Sequence, residues 1–206
     1  MYLRLTAFLL SAFFVLTSIQ AQIGTHFSTT GGVSFPQAED SDLWNTGYTV
    51  KTDGFFKVAD NCYLGFRIGY TWSTVNEEKF MDEVVPSFDG NVELSGYLQH
   101  GEIMPSFRYI FNDSESSSIK FYGQAGAGFY YTRRNWSYSG EYHSGMSRSY
   151  IWKADAMNES SAGIDLSAGV MFEVFDGFGV VVYPMYHVIF NDSEDKMLSL
   201  NLGIVY

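Results

Sequence analysis

Asp165, His187 and Ser199 are the residue types of an acid, a base and a nucleophile, which in acyl transfer act along one hydrogen-bonded line. Each lies in a stretch of alternating side chains, so adjacent strands could set them on one face. A turn centred near Asp176 opposes Asp165 to His187, and one centred near Ser193 opposes His187 to Ser199. By the same rule a turn near Asp60 opposes Asp53 to Arg67, two opposite charges. Each register has competitors a slip of two residues away. Against catalysis, the chain has no Gly-x-Ser-x-Gly elbow and nothing that suggests an oxyanion hole. His26, His100 and His143 lie on separate elements without metal-ligand spacing, and Gly126 and Gly128 sit inside a strand and make no phosphate cradle. No metal and no cofactor is implied.

The elements that must position these residues are strands. Side chains alternate between an apolar and a polar face over Ile23 to Phe35, Thr46 to Val58, Cys62 to Ser73, Ile119 to Tyr131, Ala162 to Val174, Phe178 to Phe190 and Met197 to Tyr206. Between Val92 and Phe111 the apolar series changes phase, from Val92, Leu94 and Leu98 to Ile103, Phe107 and Phe111. Such a slip predicts a β-bulge near His100-Gly101-Glu102. The segment is also longer than the roughly 9 to 11 residues of a membrane-spanning strand, which places its first half outside a bilayer. The count is eight strands, with the first, third, fifth and seventh connections longer than the second, fourth and sixth.

Composition agrees with an all-β chain. Aromatic residues make up 18% of the 206 residues, with 15 Tyr and 18 Phe, and strands favour such residues. The net charge of −11 argues against nucleic acid as a partner, since phosphate binding needs a basic face. Met1 to Arg4 is basic, Leu5 to Leu16 apolar, and Ala21 ends a short polar stretch. This is the layout of a signal peptide over residues 1–21, leaving 22–206 as one domain. The lone Cys62 reads as a small residue at a strand start.

The closing strand carries the resemblance. Leu198, Leu200, Leu202, Ile204 and Tyr206 share one face and the chain ends on an aromatic residue. With the alternating connection lengths, this resembles the small eight-stranded bacterial outer-membrane β-barrels of the OmpX and OmpA type, over essentially all of 22–206. The resemblance implies an eight-stranded antiparallel up-and-down transmembrane β-barrel with a side-chain-filled lumen. It also implies export to the outer membrane of a Gram-negative bacterium, contact with outer-membrane lipid, a monomer, and recognition of the terminal strand by the barrel-assembly machinery. A soluble lipocalin-like barrel would alternate in the same way with its apolar face inward. Three features favour the inverted arrangement: the Gly-rich polar face with charges of both signs, the closing strand, and the aromatics near strand ends (Trp44, Trp72, Phe111, Phe172, Phe178, Phe190, Tyr206). The lumen then holds Lys51, Asp53, Lys57, Arg67, Arg108, Lys120, Asp165, Glu173 and His187, and opposite charges should pair there.

Residues Arg133 to Ser160 keep an alternation of their own and read as a hairpin that continues the wall above the membrane, its tip near Ser144. Arg133, Arg134, Arg148 and Lys153 lie there among Trp136, Tyr138, Tyr142, Tyr150 and Trp152, a mixture enriched in binding surfaces. The expected function is non-enzymatic: a protein that stabilises the envelope or contacts a surface protein or polysaccharide through its external loops, especially 133–160. A lipid-modifying acyltransferase or lipase, a small pore and a soluble ligand-binding barrel are the alternatives.

Overall fold

The computed structural model describes residues 25–37, 41–84, 92–113, 117–144, 146–153, 157–175 and 177–206. The proposed signal peptide, its cleavage point after Ala21, and Ile23 and Gly24 at the start of the first strand lie outside them.

The strands are β1 (Thr25–Pro36), β2 (Gly47–Ala59), β3 (Cys62–Thr74), β4 (Val92–Ile110), β5 (Ile119–Ser144), β6 (Met146–Lys153), β7 (Met157–Phe175), β8 (Phe178–Ile189) and β9 (Lys196–Val205). Eight of them form a closed antiparallel ring. Each pairs with its neighbour, β5 pairs with both β4 and β7, and β1 meets β9 along Ser28↔Val205 to Pro36↔Met197. Phe27 and Tyr206 exchange both backbone hydrogen bonds at 2.8 Å, so the terminal residue completes the seam. The ninth strand, β6, is the returning arm of the hairpin that extends β5, and it pairs with β5 from Ser137↔Lys153 to Ser144↔Met146.

Burial settles which face is inside. Val50, Leu64, Phe66, Ile68, Leu166, Leu200 and Leu202 are exposed on the outer wall, while Lys51, Asp53, Arg67, Arg108 and Asp165 are buried. A ring that is apolar outside and charged inside is built for hydrocarbon, where only a structure without free backbone edges is stable. The lipocalin-like arrangement is thereby overturned.

At the end where β1 begins and β9 finishes, β2 turns into β3 at Asp60-Asn61, with Asn61 in the left-handed region (φ 63). Gly177 (φ 73) does the same between β7 and β8. The opposite end carries residues 41–46, 75–84 and 190–195 and the hairpin. The contrast in length has one exception: residues 111–118, at the terminal end, outnumber 190–195.

No bulge interrupts β4. Its register against β3 runs unshifted from Cys62↔Tyr109 to Thr74↔Tyr97, and the ladder to β5 keeps one frame from Val92↔Gly140 to Ile110↔Tyr122. The change of phase has another cause. Even-numbered residues point inward throughout, but Leu94 and Leu98 point into an apolar cluster above the membrane belt, whereas His100, Glu102, Ser106 and Arg108 point into the polar lumen. Pro105 and Pro184 lack an N–H, and the ladders skip a step beside each without changing register.

That cluster caps the barrel. Trp44 forms an isolated bridge with Val75, and Asn76 donates its N–H to the Leu43 carbonyl, tying the β1–β2 loop to the end of β3. Helix α1 (Glu77–Val84) starts where the Asn76 side chain accepts from the Lys79 N–H, with Glu77 and Glu78 in its first turn. The helix lays Phe80 against Trp44, Leu94, Leu98 and Trp136. Trp44 is therefore a cap core residue and not one of the belt aromatics; Trp72, Phe111, Phe172 and Phe190 are exposed on the wall, and Phe178 and Tyr206 are half-buried.

Candidate functional site

The lumen is a network of paired charges. Asp53 lies opposite Arg67 in the β2–β3 ladder, and Arg67 Nε donates to Asp53 Oδ1 at 2.7 Å. Arg67 also reaches across the barrel, donating from Nη1 to Asp165 Oδ2 at 3.1 Å. Lys51 Nζ donates to His187 Nε2 at 2.8 Å and Ser199 Oγ at 3.3 Å, and stands 3.8 Å from Glu102 Oε1. Arg108 lies over the rings of Phe55 and Tyr122, 3.9 and 4.5 Å from their centroids, and donates to Gln124 at 3.0 Å. Among the described residues four cations, Lys51, Arg67, Arg108 and Arg134, and four carboxylates, Asp53, Glu102, Asp165 and Asp195, are buried, with Arg108 resting on the two rings and Gln124. Matching matters because a buried charge that loses its partner costs far more than the pair contributes.

The triad types meet but do not align. Asp165 lies opposite His187 in the β7–β8 ladder, yet its carboxylate serves Arg67. His187 opposes Met197, not Ser199, because the β8–β9 turn is centred one residue earlier than the alternation suggests. Ser199 Oγ still lies 3.4 Å from His187 Nε2, but the Lys51 ammonium is closer to that nitrogen. Since an ammonium only donates, Nε2 accepts and Nδ1 carries the proton toward Tyr130 Oη at 2.8 Å. The imidazole is thus held by Lys51 and has no free lone pair with which to take a proton from Ser199. All three residues are almost wholly buried.

Both ends of the lumen carry packed side chains. The cap cluster closes the end with the long connections. At the other, Phe55, Tyr63, Ile110 and Tyr122 pack together, and Asp113 accepts from Lys57 at 2.9 Å and Tyr63 Oη at 2.7 Å, with Lys120 at 3.7 Å. Lys57 and Glu173 sit at this mouth, substantially exposed, and Lys120 is only partly enclosed there, so these three rim the lumen where sequence reasoning put them inside it. Glu102, His100 and the His187-binding role of Tyr130 were missed. The alternation running back from Arg108 through Ser106 to Glu102 and His100 was the signal that could have found the first two.

Of the hairpin residues, Arg133 is exposed, with its guanidinium 5.4 Å from the Tyr97 ring centroid. Arg134 is turned inward, where it donates to Ser193 at 2.6 Å and pairs with Asp195, and Asp195 in turn binds Asn191 at 2.7 Å. Trp136 packs against the cap. These two are structural, since the inward face of β5 carries them into the barrel mouth. Tyr138, Tyr142, Arg148, Tyr150 and Trp152 are described by their backbone alone, where Tyr138 opposes Trp152 and Tyr142 opposes Arg148.

No protein-family model matches the chain, and no curated protein matches it. Among solved structures it is similar to Ail, the attachment invasion locus protein of Yersinia pestis, in complex with the heparin analogue sucrose octasulfate. The TM-score is 0.50 at 13% identity, over 88% of this chain and 97% of Ail. The outer membrane protein OprG of Pseudomonas aeruginosa matches at 0.49 and 11% identity, over 88% of this chain and 94% of OprG. Neisserial surface protein A matches at 0.48 and 14%, over 88% and 96%. Identities this low speak for architecture alone. With its ring closed by β1 and β9, its charges turned inward and its likeness to Ail, the chain has the fold of the small eight-stranded outer-membrane β-barrels.

Proposed function

We propose that the chain is exported by a signal peptide cleaved after Ala21 and assembled into the outer membrane by the barrel-assembly machinery through Leu198, Leu200, Leu202, Ile204 and Tyr206. There it works as a monomer, without catalysis, binding a surface protein through the β5–β6 hairpin. The observation that carries this reading is the edge of β6, which stands last in the strand order and, among the described residues, is paired on one side only. An edge with free N–H and C=O groups above the membrane is a template on which a partner strand can add. The net charge of −11 favours a polypeptide over a polyanionic sugar. The closed lumen favours binding over conduction, and the Lys51-occupied imidazole favours binding over acyl transfer.

The test has two stages. Gel mobility of the membrane-extracted protein with and without boiling, beside a Tyr206 deletion, should give a heat-modifiable outer-membrane band that the deletion depletes. A library of extended peptides is then passed over the protein in lipid nanodiscs and over a form lacking residues 138–152. Peptides that slow amide exchange in 146–153, and fail to bind the shortened form, support the reading; binders that protect only other loops sink it.

A further inference from the structure

Around the belt the outward positions carry bulky side chains, among them Tyr48, Val50, Ile68 and Leu202. Thr29, Gly31 and Thr52 on β1 and β2 are smaller, but the row that adjoins the hollows crosses β5, β7 and β8. Gly123 of β5 opposes Ala168 of β7, Pro184 continues the row on β8, and the row ends on Leu200 of β9. Ala125 lies next along the same face of β5 and opposes Leu166. Three strands in succession thus present small or flat residues to the membrane, and the wall carries a shallow, open depression there. Two hollows of about 740 and 600 Å³ adjoin, sharing Phe111, Ala168 and Pro184. Phe107, Tyr109 and Tyr186 also line the larger one.

We propose that this trench seats one acyl chain of a membrane lipid and holds that lipid against the β5–β7–β8 wall. The inference rests on the membrane-spanning fold and not on the hairpin. The trench is continuous with the belt, so what surrounds it is hydrocarbon. A void at such a surface forfeits dispersion contact, and an unbranched flexible chain follows a sunken path between ridges. A rigid second barrel would rest on the flanking side chains of Phe107, Phe111 and Tyr186 and leave the floor uncovered.

The experiment uses the full mature chain in nanodiscs of a phospholipid that carries a photoreactive diazirine midway along one acyl chain. After irradiation, labelled peptides are mapped by mass spectrometry. The expected result is a several-fold excess of label on residues 121–127, 164–170 and 182–186 over the outward faces of β2 and β3. The Ala125→Phe, Ala168→Phe double variant fills the trench; if still heat-modifiable, it should lose that excess. If the double variant does not insert, Ala168→Leu alone makes the same comparison. Even labelling around the wild-type belt overturns the proposal. So does an excess that survives filling.

Discussion

Within the membrane belt the strands turn Lys51, Arg67 and Glu102 inward and Ile68, Tyr70 and Ile103 outward; a few residues farther up β4, Leu94 and Leu98 turn inward and Ser95 outward. The strand is the same and its register does not shift. What changes is the solvent outside. Above the belt water surrounds the wall, and burying Trp44, Phe80, Leu94 and Leu98 removes apolar surface from it, the usual driving force of folding. Inside the belt an apolar core gains nothing over lipid, so the interior can be ionic provided that each charge finds a partner. The polar lumen is therefore stable only as a set, whereas the cap is stabilised side chain by side chain.

If that contrast is right, the largest loss comes from taking one member out of the ionic set. Arg67→Ala leaves Asp53 and Asp165 facing each other across the lumen, and the expected cost is about 3–5 kcal/mol in urea unfolding from lipid vesicles. Replacing Arg67, Asp53 and Asp165 together by apolar residues of similar volume should recover most of it; a triple variant as unstable as the single one would mean that geometry and not charge is at stake. In the cap, Phe80→Ala removes an aromatic side chain worth about 3–5 kcal/mol of packing. That loss should be local, raising amide exchange in 77–84 and 94–98 while the belt amides stay protected. Equal acceleration in both regions would show that cap and belt unfold as one unit. The walls give a third comparison. Leu200→Lys places a charge toward hydrocarbon and should cost about 2–4 kcal/mol. Ser95→Lys, an outward position on the cap, should stay within about 0.5 kcal/mol.

The same contrast explains how much could be read in advance. Strand period and turn centres near 60 and 176 oppose Asp53 to Arg67 and Asp165 to His187, because in each hairpin a one-residue register shift beside the turn (Lys57/Ala59 and Glu173/Phe175) restores the frame that such a centre gives. The β8–β9 register escaped because residues 190–195 are pinned from outside the hairpin, by Arg134 of β5 holding Ser193 and Asp195. Nothing in the local alternation reports that bond. Glu102 and His100 escaped for a different reason. A hydrophobic pattern records both which way a side chain points and what lies there, and at 98–103 the second changed while the first did not. A bulge and a change of solvent leave the same trace in sequence, and only the partner strand separates them.

The mouth at the terminal end offers the smallest effect and the one with a sign in pH. Asp113 lies in the turn after β4, outside the belt. Burial by itself would raise its carboxyl, but the hydrogen bonds from Lys57 and Tyr63 and the charges of Lys57 and Lys120 outweigh it and hold the group below the ordinary carboxylate range. A carboxyl depressed in the folded state contributes stability above its unfolded value of about 3.9 and loses that contribution as pH falls through the folded value. Since Lys57 is partly solvated, the contribution should be on the order of 1 kcal/mol. Unfolding midpoints of the wild type and Asp113→Asn at pH 7, 5 and 3 measure it by difference. The gap should be full at the two higher values and narrow at the lowest. A gap that does not move with pH would mean that Asp113 closes the mouth by shape and hydrogen bonding alone, and the ionic logic of the lumen would then stop short of its rim.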